Sequence, residues 1–117
     1  MPLFNIDKER ITAVPHHSEY SVWRRRLVQS NDLDPIKNEL NLKVDGGDIH
    51  TSSWMPGNDW RKTPFQPIYD VACGNVEEFS GYCFGLILWE VMMERDEDWC
   101  FIKSENILGT TYFRPTW

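Results

Sequence analysis

Asp59 stands between two tryptophans in this sequence, Trp54 and Trp60, and is followed closely by Arg61. Aromatic rings beside a carboxylate can bind a sugar, and two carboxylates across a cleft can hydrolyse a glycosidic bond. Hydrolysis requires a second carboxylate and a long cleft, and a chain of 117 residues leaves little room for one. We therefore predict a binding site rather than a catalytic site, formed by Trp54, Asp59, Trp60, Arg61 and His50.

All of these residues except His50 lie in residues 52–69, SSWMPGNDWRKTPFQPIY. This segment has too many prolines and turn residues to form one regular helix or strand. Two tryptophans beside Pro56 and Gly57 form a stiff amphipathic surface, which is typical of a protein-binding hot spot. Alternatively, the loop packs on its own core, and we favour an inward position for at least one tryptophan. The second hypothesis is a pocket for a small ligand or substrate, lined by His50, Asp59, Tyr69 and a tryptophan.

Cysteines and histidines are further residue types able to do chemistry. Cys73, Cys83 and Cys100 form no CxxC pair, stand in apolar surroundings, and have no base that the sequence places beside them. We predict reduced, inert core thiols rather than nucleophiles or a disulfide framework. His16 and His17 are too few for a metal site, which needs three or four ligands, so a solvated turn is the better interpretation. No metal and no cofactor is expected.

Charged residues also occur inside the predicted helices. Arg24, Arg25 and Arg26 are the densest basic cluster, but consecutive helical residues point about 100° apart and so form no single patch. We expect exposed ion pairs from them, with a phosphate site built from two of them as the alternative. Glu90 stands within an apolar run, and we expect it on a solvent-facing stripe, with pairing to an arginine as the alternative.

The composition narrows the class of protein. The net charge of −6 disfavours non-specific nucleic-acid binding, because phosphates would be repelled, whereas an acidic surface attracts basic partners. The start of the chain, MPLFNIDKER, has neither the pattern of a signal peptide nor that of a transit peptide. The longest apolar run, 84–93, is shorter than the roughly 20 residues that span a membrane. We therefore expect a cytoplasmic protein without a membrane partner.

Two helices are predicted in the first half of the chain. The first runs over Glu19–Gln29 with Ser18 as its cap, and Tyr20, Trp23 and Leu27 share its apolar face. The second is short and opens where Asp34 caps Pro35 at the first helical position.

Two more helices are predicted in the second half. One begins at Pro64, after a capping box of Thr63 and Gln66, and ends at Gly74. The other runs over 76–94 with Asn75 as its cap. It is apolar on almost every side, so we expect it at the centre of the core.

Strands are predicted in three places. Ile11–Val14 is a candidate short strand that Pro15 would stop. Leu40–Val44 and Ile49–Ser53 alternate around a Gly-Gly turn and favour a hairpin, although a helix ending at Gly46 competes. The segments 99–103 and 107–114 predict a second hairpin.

Together these elements predict one α+β domain over residues 1–117. A small antiparallel sheet of two hairpins would pack on the buried helix in the C-terminal half, beside shorter helices. The absence of an assembled catalytic set favours a non-enzymatic interaction or regulatory protein, and we expect a bacterial or phage origin. It would bind a protein partner or itself through the tryptophan- and proline-rich loop. A small ligand-binding domain or enzyme is the alternative.

Overall fold

The computed structural model describes residues 3–47, 49–51, 63, 65–104 and 107–115. Within these ranges the chain adopts an α+β fold, which confirms the predicted class. Its strands are β1 (Leu3–Phe4), β2 (Ile49–Thr51), β3 (Trp99–Ser104) and β4 (Ile107–Phe113). Its helices are α1 (His17–Gln29), α2 (Leu33–Asp45) and α3 (Glu77–Glu94), and a π-helical turn at Ile68–Ala72 precedes α3.

The described strands form one sheet in the order β1–β3–β4–β2. β3 and β4 are the predicted second hairpin, with Phe101 opposite Tyr112, and this prediction is confirmed. β2 lies antiparallel to β4, whereas β1 lies parallel to β3, with Leu3 opposite Trp99. The sheet is therefore mixed rather than wholly antiparallel.

The predicted first hairpin is wrong, because residues 40–44 belong to α2. Ile36, Leu40 and Val44 recur at helical spacing and are buried against the core, while Leu42 is 67% exposed. Apolar residues four positions apart share one face of a helix, and this pattern outweighs the alternation of apolar and polar residues that favoured a strand. The competing helix that ends at Gly46 is the one observed. The second half of the predicted hairpin does form a strand, β2, but it pairs with β4.

The predicted strand at Ile11–Val14 is also wrong, since the strand lies earlier, at Leu3–Phe4. Leu3 is fully buried and its carbonyl accepts a hydrogen bond from the Ile11 amide at 2.7 Å. An isolated bridge joins Phe4 to Arg10. Ile11 therefore only supports the edge of the sheet that β1 forms.

The helix boundaries differ from the predicted caps. α1 begins at His17, before the predicted Glu19, and His16 precedes it in a left-handed conformation. Asp32 rather than Asp34 precedes α2, which leaves Pro35 in the first turn, where its missing amide is tolerated. Val76 rather than Asn75 precedes α3.

The helix predicted from Pro64 to Gly74 is observed as a shorter helical segment. Helical structure begins at Gln66, and the Thr63 hydroxyl accepts a hydrogen bond from the Phe65 amide at 3.2 Å. Gly74 follows with a φ of 59°, the left-handed conformation expected of a glycine that ends a helix.

α3 lies at the centre of the core, as predicted. Its buried side chains face α1, α2, the π-helical turn and the sheet; they are Cys83, Phe84, Leu86, Ile87, Leu88, Trp89, Val91, Met92 and Met93. Two aromatic residues near its start, Phe79 and Tyr82, are instead exposed. Among the described residues, none of the helices has both the length and the apolar character to cross a membrane.

Candidate functional site

An open groove separates α1 from α3 and has a volume of about 850 Å³. α1 contributes Glu19, Val22 and Trp23, which stand at i, i+3 and i+4 and so share one helical face. The facing wall comes from α3, and Thr110 of β4 also lines the groove.

The wall that α3 forms carries two aromatic rings that are not buried in the core. Phe79 is 45% exposed and Tyr82 is 58% exposed, whereas the other apolar side chains described on the same helix are buried. The centroid of the Phe79 ring lies 5.9 Å from that of the Trp23 ring, so the two rings are in contact and join the two walls of the groove. Solvent-exposed aromatic residues gathered around one concave surface are characteristic of a binding site.

Two glycines on α3 keep part of this wall free of side chains. Gly81 and Gly85 are one turn apart, both line the groove, and a Cβ atom built on either would meet nothing within 4 Å. The exposed helix backbone at these positions lets another molecule approach closely. Gly81 and Gly85 therefore leave a strip of α3 without side chains beside the projecting ring of Tyr82.

Trp89 holds the floor of the groove in place. Its indole nitrogen donates a hydrogen bond to the Ala13 carbonyl at 3.2 Å, which fixes the segment before α1. Its ring centroid lies 4.5 Å from that of Phe101 and 6.4 Å from that of Tyr112, so the sheet supports it from behind. The walls of the groove therefore belong to elements anchored on the core.

A charged cluster lies beside the groove, at a second contact between α1 and α3. Glu90 accepts hydrogen bonds from the Tyr20 hydroxyl at 3.0 Å and the Arg24 Nε at 2.9 Å, and it also pairs with Lys37 of α2. Lys37 reaches Glu94 as well, at 2.9 Å. The predicted solvent-facing stripe for Glu90 is therefore wrong, and the alternative, pairing with an arginine, is observed.

The cluster changes the pKa values of its members. Burial alone would raise the pKa of Glu90, but the hydrogen bonds and charges of Arg24 and Lys37 outweigh it and leave the pKa below its ordinary value. The pKa of Tyr20 is raised, first by burial and then by the neighbouring Glu90 charge. The hydrogen bond to Glu90 is the main reason that the pKa of Arg24 is raised. Glu90 is therefore an ionised, paired carboxylate rather than a proton donor.

Apart from His50, the binding residues predicted from the sequence belong to the loop of residues 54–61. Trp54, Asp59, Trp60 and Arg61 lie outside the described residues, so the loop interface stays a prediction. His50 is described, and its Nε2 lies 2.9 Å from the carbonyl oxygens of both Val44 and Gly47. Because both neighbours are acceptors, Nε2 carries the proton, and His50 secures the end of α2.

The other residue proposed for a pocket, Tyr69, lies in the π-helical turn, which packs against α1 and α3. Its carbonyl accepts a hydrogen bond from the Asn75 amide at 2.8 Å. The sequence-based pocket of His50, Asp59 and Tyr69 stays a prediction, because Asp59 lies outside the described residues.

The arginines separate as predicted, with no common patch. Arg24 pairs with Glu90, Arg26 donates to the Ala72 carbonyl at 2.6 Å, and Arg25 is exposed. His16 and His17 are exposed, and within the described ranges no three histidine, cysteine or acidic side chains form a group suited to a metal ion.

Sequence reasoning missed the groove, since it placed Phe79 and Tyr82 within an almost wholly apolar helix. The spacing of Gly81 and Gly85 was the one local signal for it. Comparison of the chain with protein-family models, curated proteins and solved structures gives no significant match.

Proposed function

We propose that the protein is a non-enzymatic interaction module, and that it binds an amphipathic helix of a protein partner in the groove between α1 and α3. The exposure of Phe79 and Tyr82, on a helix whose other described apolar side chains are buried, carries this proposal. Aromatic residues at the centre of an interface supply much of its binding energy, because they bury a large area with little loss of conformational entropy.

The shape of the groove supports a helical partner. Its two walls are helices, and a third helix laid along the open side of the groove would meet Gly81 and Gly85, where small residues permit close approach of helix axes. Apolar side chains at i, i+3, i+4 and i+7 of the partner would then contact Val22, Trp23 and Tyr82.

Charge complementarity supports a partner helix with basic residues on its polar face. Glu19 is exposed at the rim of the groove, and the chain carries a net charge of −6. Such a charge accelerates association with basic segments at low salt. The predicted loop interface at Trp54 and Trp60 is a separate surface in this proposal and does not carry it.

Site-specific photo-crosslinking tests the proposal. p-Benzoylphenylalanine would replace Tyr82 in the groove and, as a matched control, Leu42, which is 67% exposed against 58% for Tyr82 but lies on α2 outside the groove. We expect position 82, and not position 42, to crosslink one basic, helical segment of another protein in an extract of the producing cells. A synthetic peptide of that segment should bind the wild type and bind the Tyr82→Ser variant at least ~10-fold more weakly, as loss of an interface hot spot implies.

Two results would contradict the proposal. Equal crosslinking from positions 82 and 42 would show that the groove does not bind a partner selectively. Crosslinking of position 82 to a second copy of this chain would assign the groove to self-association instead.

A small apolar ligand is the second candidate occupant, because the groove volume falls within the range of ligand pockets, about 300–1,000 Å³. Native mass spectrometry distinguishes a small ligand from a partner helix. A small molecule that co-purifies with the wild type and is absent from the Tyr82→Ser variant would favour the ligand hypothesis.

A further inference from the structure

Helix α1 is attached to α3 at two points that lie far apart along α3. Near the start of α3, the Trp23 ring contacts the Phe79 ring, with centroids 5.9 Å apart. Near its end, Arg24 donates two hydrogen bonds to Glu90, from Nε at 2.9 Å and from Nη2 at 3.3 Å. Positions 79 and 90 are separated by about three turns, or ~16 Å of helix, so both stand on the same face of α3.

The two attachments come from consecutive residues of α1. Because neighbouring helical residues point about 100° apart, Trp23 and Arg24 leave α1 in different directions. Tyr20 and Leu27, the buried residues of α1, fall between these two directions. Trp23 therefore stands on the groove side of the buried face of α1, and Arg24 stands on the opposite side.

Arg24 is placed to control the rotation of α1 about its own axis. The two hydrogen bonds that its planar guanidinium donates to one carboxylate, here called the Arg24 fork, require a narrow range of orientations. Apolar burial of Leu27 is non-directional and tolerates a small rotation. The Tyr20 hydroxyl also donates to Glu90, at 3.0 Å, but a hydroxyl turns to suit its acceptor and restricts the helix less.

Glu90 is a firm anchor for the fork because a third helix holds it as well. Lys37 of α2 pairs with the same carboxylate, whose side chain is 15% exposed, whereas Arg24 is 41% exposed. Loss of the Arg24 side chain would leave Glu90 paired with Lys37 and bonded to Tyr20. The attachment of α1 can therefore be weakened without leaving a buried charge unpaired.

We propose that Arg24 is the positioning residue of the groove: its fork on Glu90 sets the rotation of α1 that turns Val22 and Trp23 toward a bound helix. Val22 and Trp23 line the groove, and Arg24 is not among the described residues that do so. Arg24 thus acts through α1 rather than by touching the occupant. The inference rests on the proposed function for the identity of that occupant, but the orientation of Trp23 can be measured on the free protein.

Fluorine NMR of the free protein measures that orientation. 4-Fluorophenylalanine in place of Phe79 reports on Trp23, because the ring current of the neighbouring indole shifts the fluorine resonance. A Trp23→Leu variant gives the resonance position without this ring. We expect Arg24→Met to move the wild-type signal toward that position, and Arg24→Lys, which keeps a cationic donor, to restore part of the shift.

Lys37→Met is the matched control. It also removes one cation from Glu90, but it leaves the Arg24 fork in place and weakens the contact with α2 instead. An effect that came only from a weaker charged cluster would appear in both variants. We therefore expect the fluorine signal of Lys37→Met to remain at the wild-type position.

The same variants test the consequence for binding. With p-benzoylphenylalanine at position 82, Arg24→Met should lower the yield of crosslinked partner helix by at least ~3-fold, a typical effect of coupled contacts. Lys37→Met should leave the yield unchanged, and Arg24→Lys should recover part of it.

The outcomes separate this inference from the proposed function. An unmoved fluorine signal in Arg24→Met, or an equal shift in Lys37→Met, would overturn the positioning role whether or not a partner binds. A moved signal with an unchanged crosslinking yield would overturn it too, since the rotation of α1 would then not matter to the occupant. Absence of crosslinking at position 82 in the otherwise wild-type chain would refute the proposed function, and the fluorine signal would still decide whether Arg24 orients α1.

Discussion

Helices α1 and α3 meet at two places of opposite character. Around Glu90 their contact is charged and closed: the carboxylate is only 15% exposed and is shared by Tyr20, Arg24 and Lys37. Around Phe79 their contact is apolar and open: the Phe79 ring contacts Trp23 but remains partly exposed to solvent in the groove. Globular proteins usually do the reverse, since charged groups are rarely buried and large rings rarely left exposed together.

The charged contact therefore fixes α1 and α3 relative to each other, while the apolar contact leaves surface available for binding. The charged cluster joins α1, α2 and α3 through groups that need defined geometry, so it fixes how the helices sit. The groove contributes less to folding than it would if closed, because full burial of an aromatic side chain is worth about 1.5–3 kcal/mol. With roughly half of that area exposed, ~1 kcal/mol for each of Phe79 and Tyr82 remains for a partner to gain.

Of the changes at these two contacts between α1 and α3, breaking the charged one should have the largest effect. Glu90→Gln leaves Lys37 and Arg24 without their carboxylate and should lower the free energy of unfolding by about 2–3 kcal/mol at neutral pH. This is less than the ~3–5 kcal/mol of a fully buried pair, because Arg24 is partly exposed and screened. Urea denaturation measures it.

The pH dependence of that loss gives an independent check. The folded-state pKa of Glu90 is lowered, so the cluster stabilises the protein above the unfolded carboxyl pKa of about 4.3. That stabilisation disappears as the pH falls through the folded-state pKa. The difference between wild type and Glu90→Gln should therefore shrink in acid, and a difference that stays constant down to the acid transition would refute the assigned pairing.

A smaller effect is expected for the coupling between two members of the cluster. A double-mutant cycle of Lys37→Met and Glu90→Gln should give a coupling energy of about 1–2 kcal/mol, because the two groups are paired away from solvent. The matched cycle of Lys37→Met with Glu94→Gln should give less than ~0.5 kcal/mol, because Glu94 is 54% exposed. Equal values in the two cycles would mean that burial does not distinguish these pairs.

The smallest effect on stability is expected in the groove. Tyr82→Ser should change the free energy of unfolding by less than ~0.5 kcal/mol, because the ring is mainly in solvent. Leu88→Ala, six residues later on the same helix but fully buried, should cost ~2–5 kcal/mol. A large loss for Tyr82→Ser in the same denaturation experiment would mean that the ring supports the fold, and the contrast between the two contacts would fail.

The features that the sequence predicted correctly depend on neighbouring residues. The hairpin of β3 and β4 follows from alternation, and the inward face of α1 follows from the spacing of Tyr20 and Leu27. Leu40 and Val44 were misjudged because a short segment can satisfy both the strand period and the helix period. Only when Ile36 is included does the four-residue spacing of a helix become distinguishable from the two-residue spacing of a strand.

The candidate sites depended on contacts between distant segments, which no local pattern reveals. Glu90 finds Lys37 and Arg24 on two other helices. Phe79 resembles its buried neighbours in composition, and its exposure depends on what α1 leaves uncovered.

The strand order has a consequence for the nascent chain. α1 and α2 lie within residues 17–45 and can form soon after they are synthesised, but β1 and β2 must wait for β3 and β4 to be translated. Until then the N-terminal strand segments have no partner in the sheet, and unpaired strands invite aggregation. A premature stop codon before β4 would deprive both β2 and β3 of a neighbour, and we expect such a product to be cleared by cellular proteases rather than to accumulate as a partly active fragment.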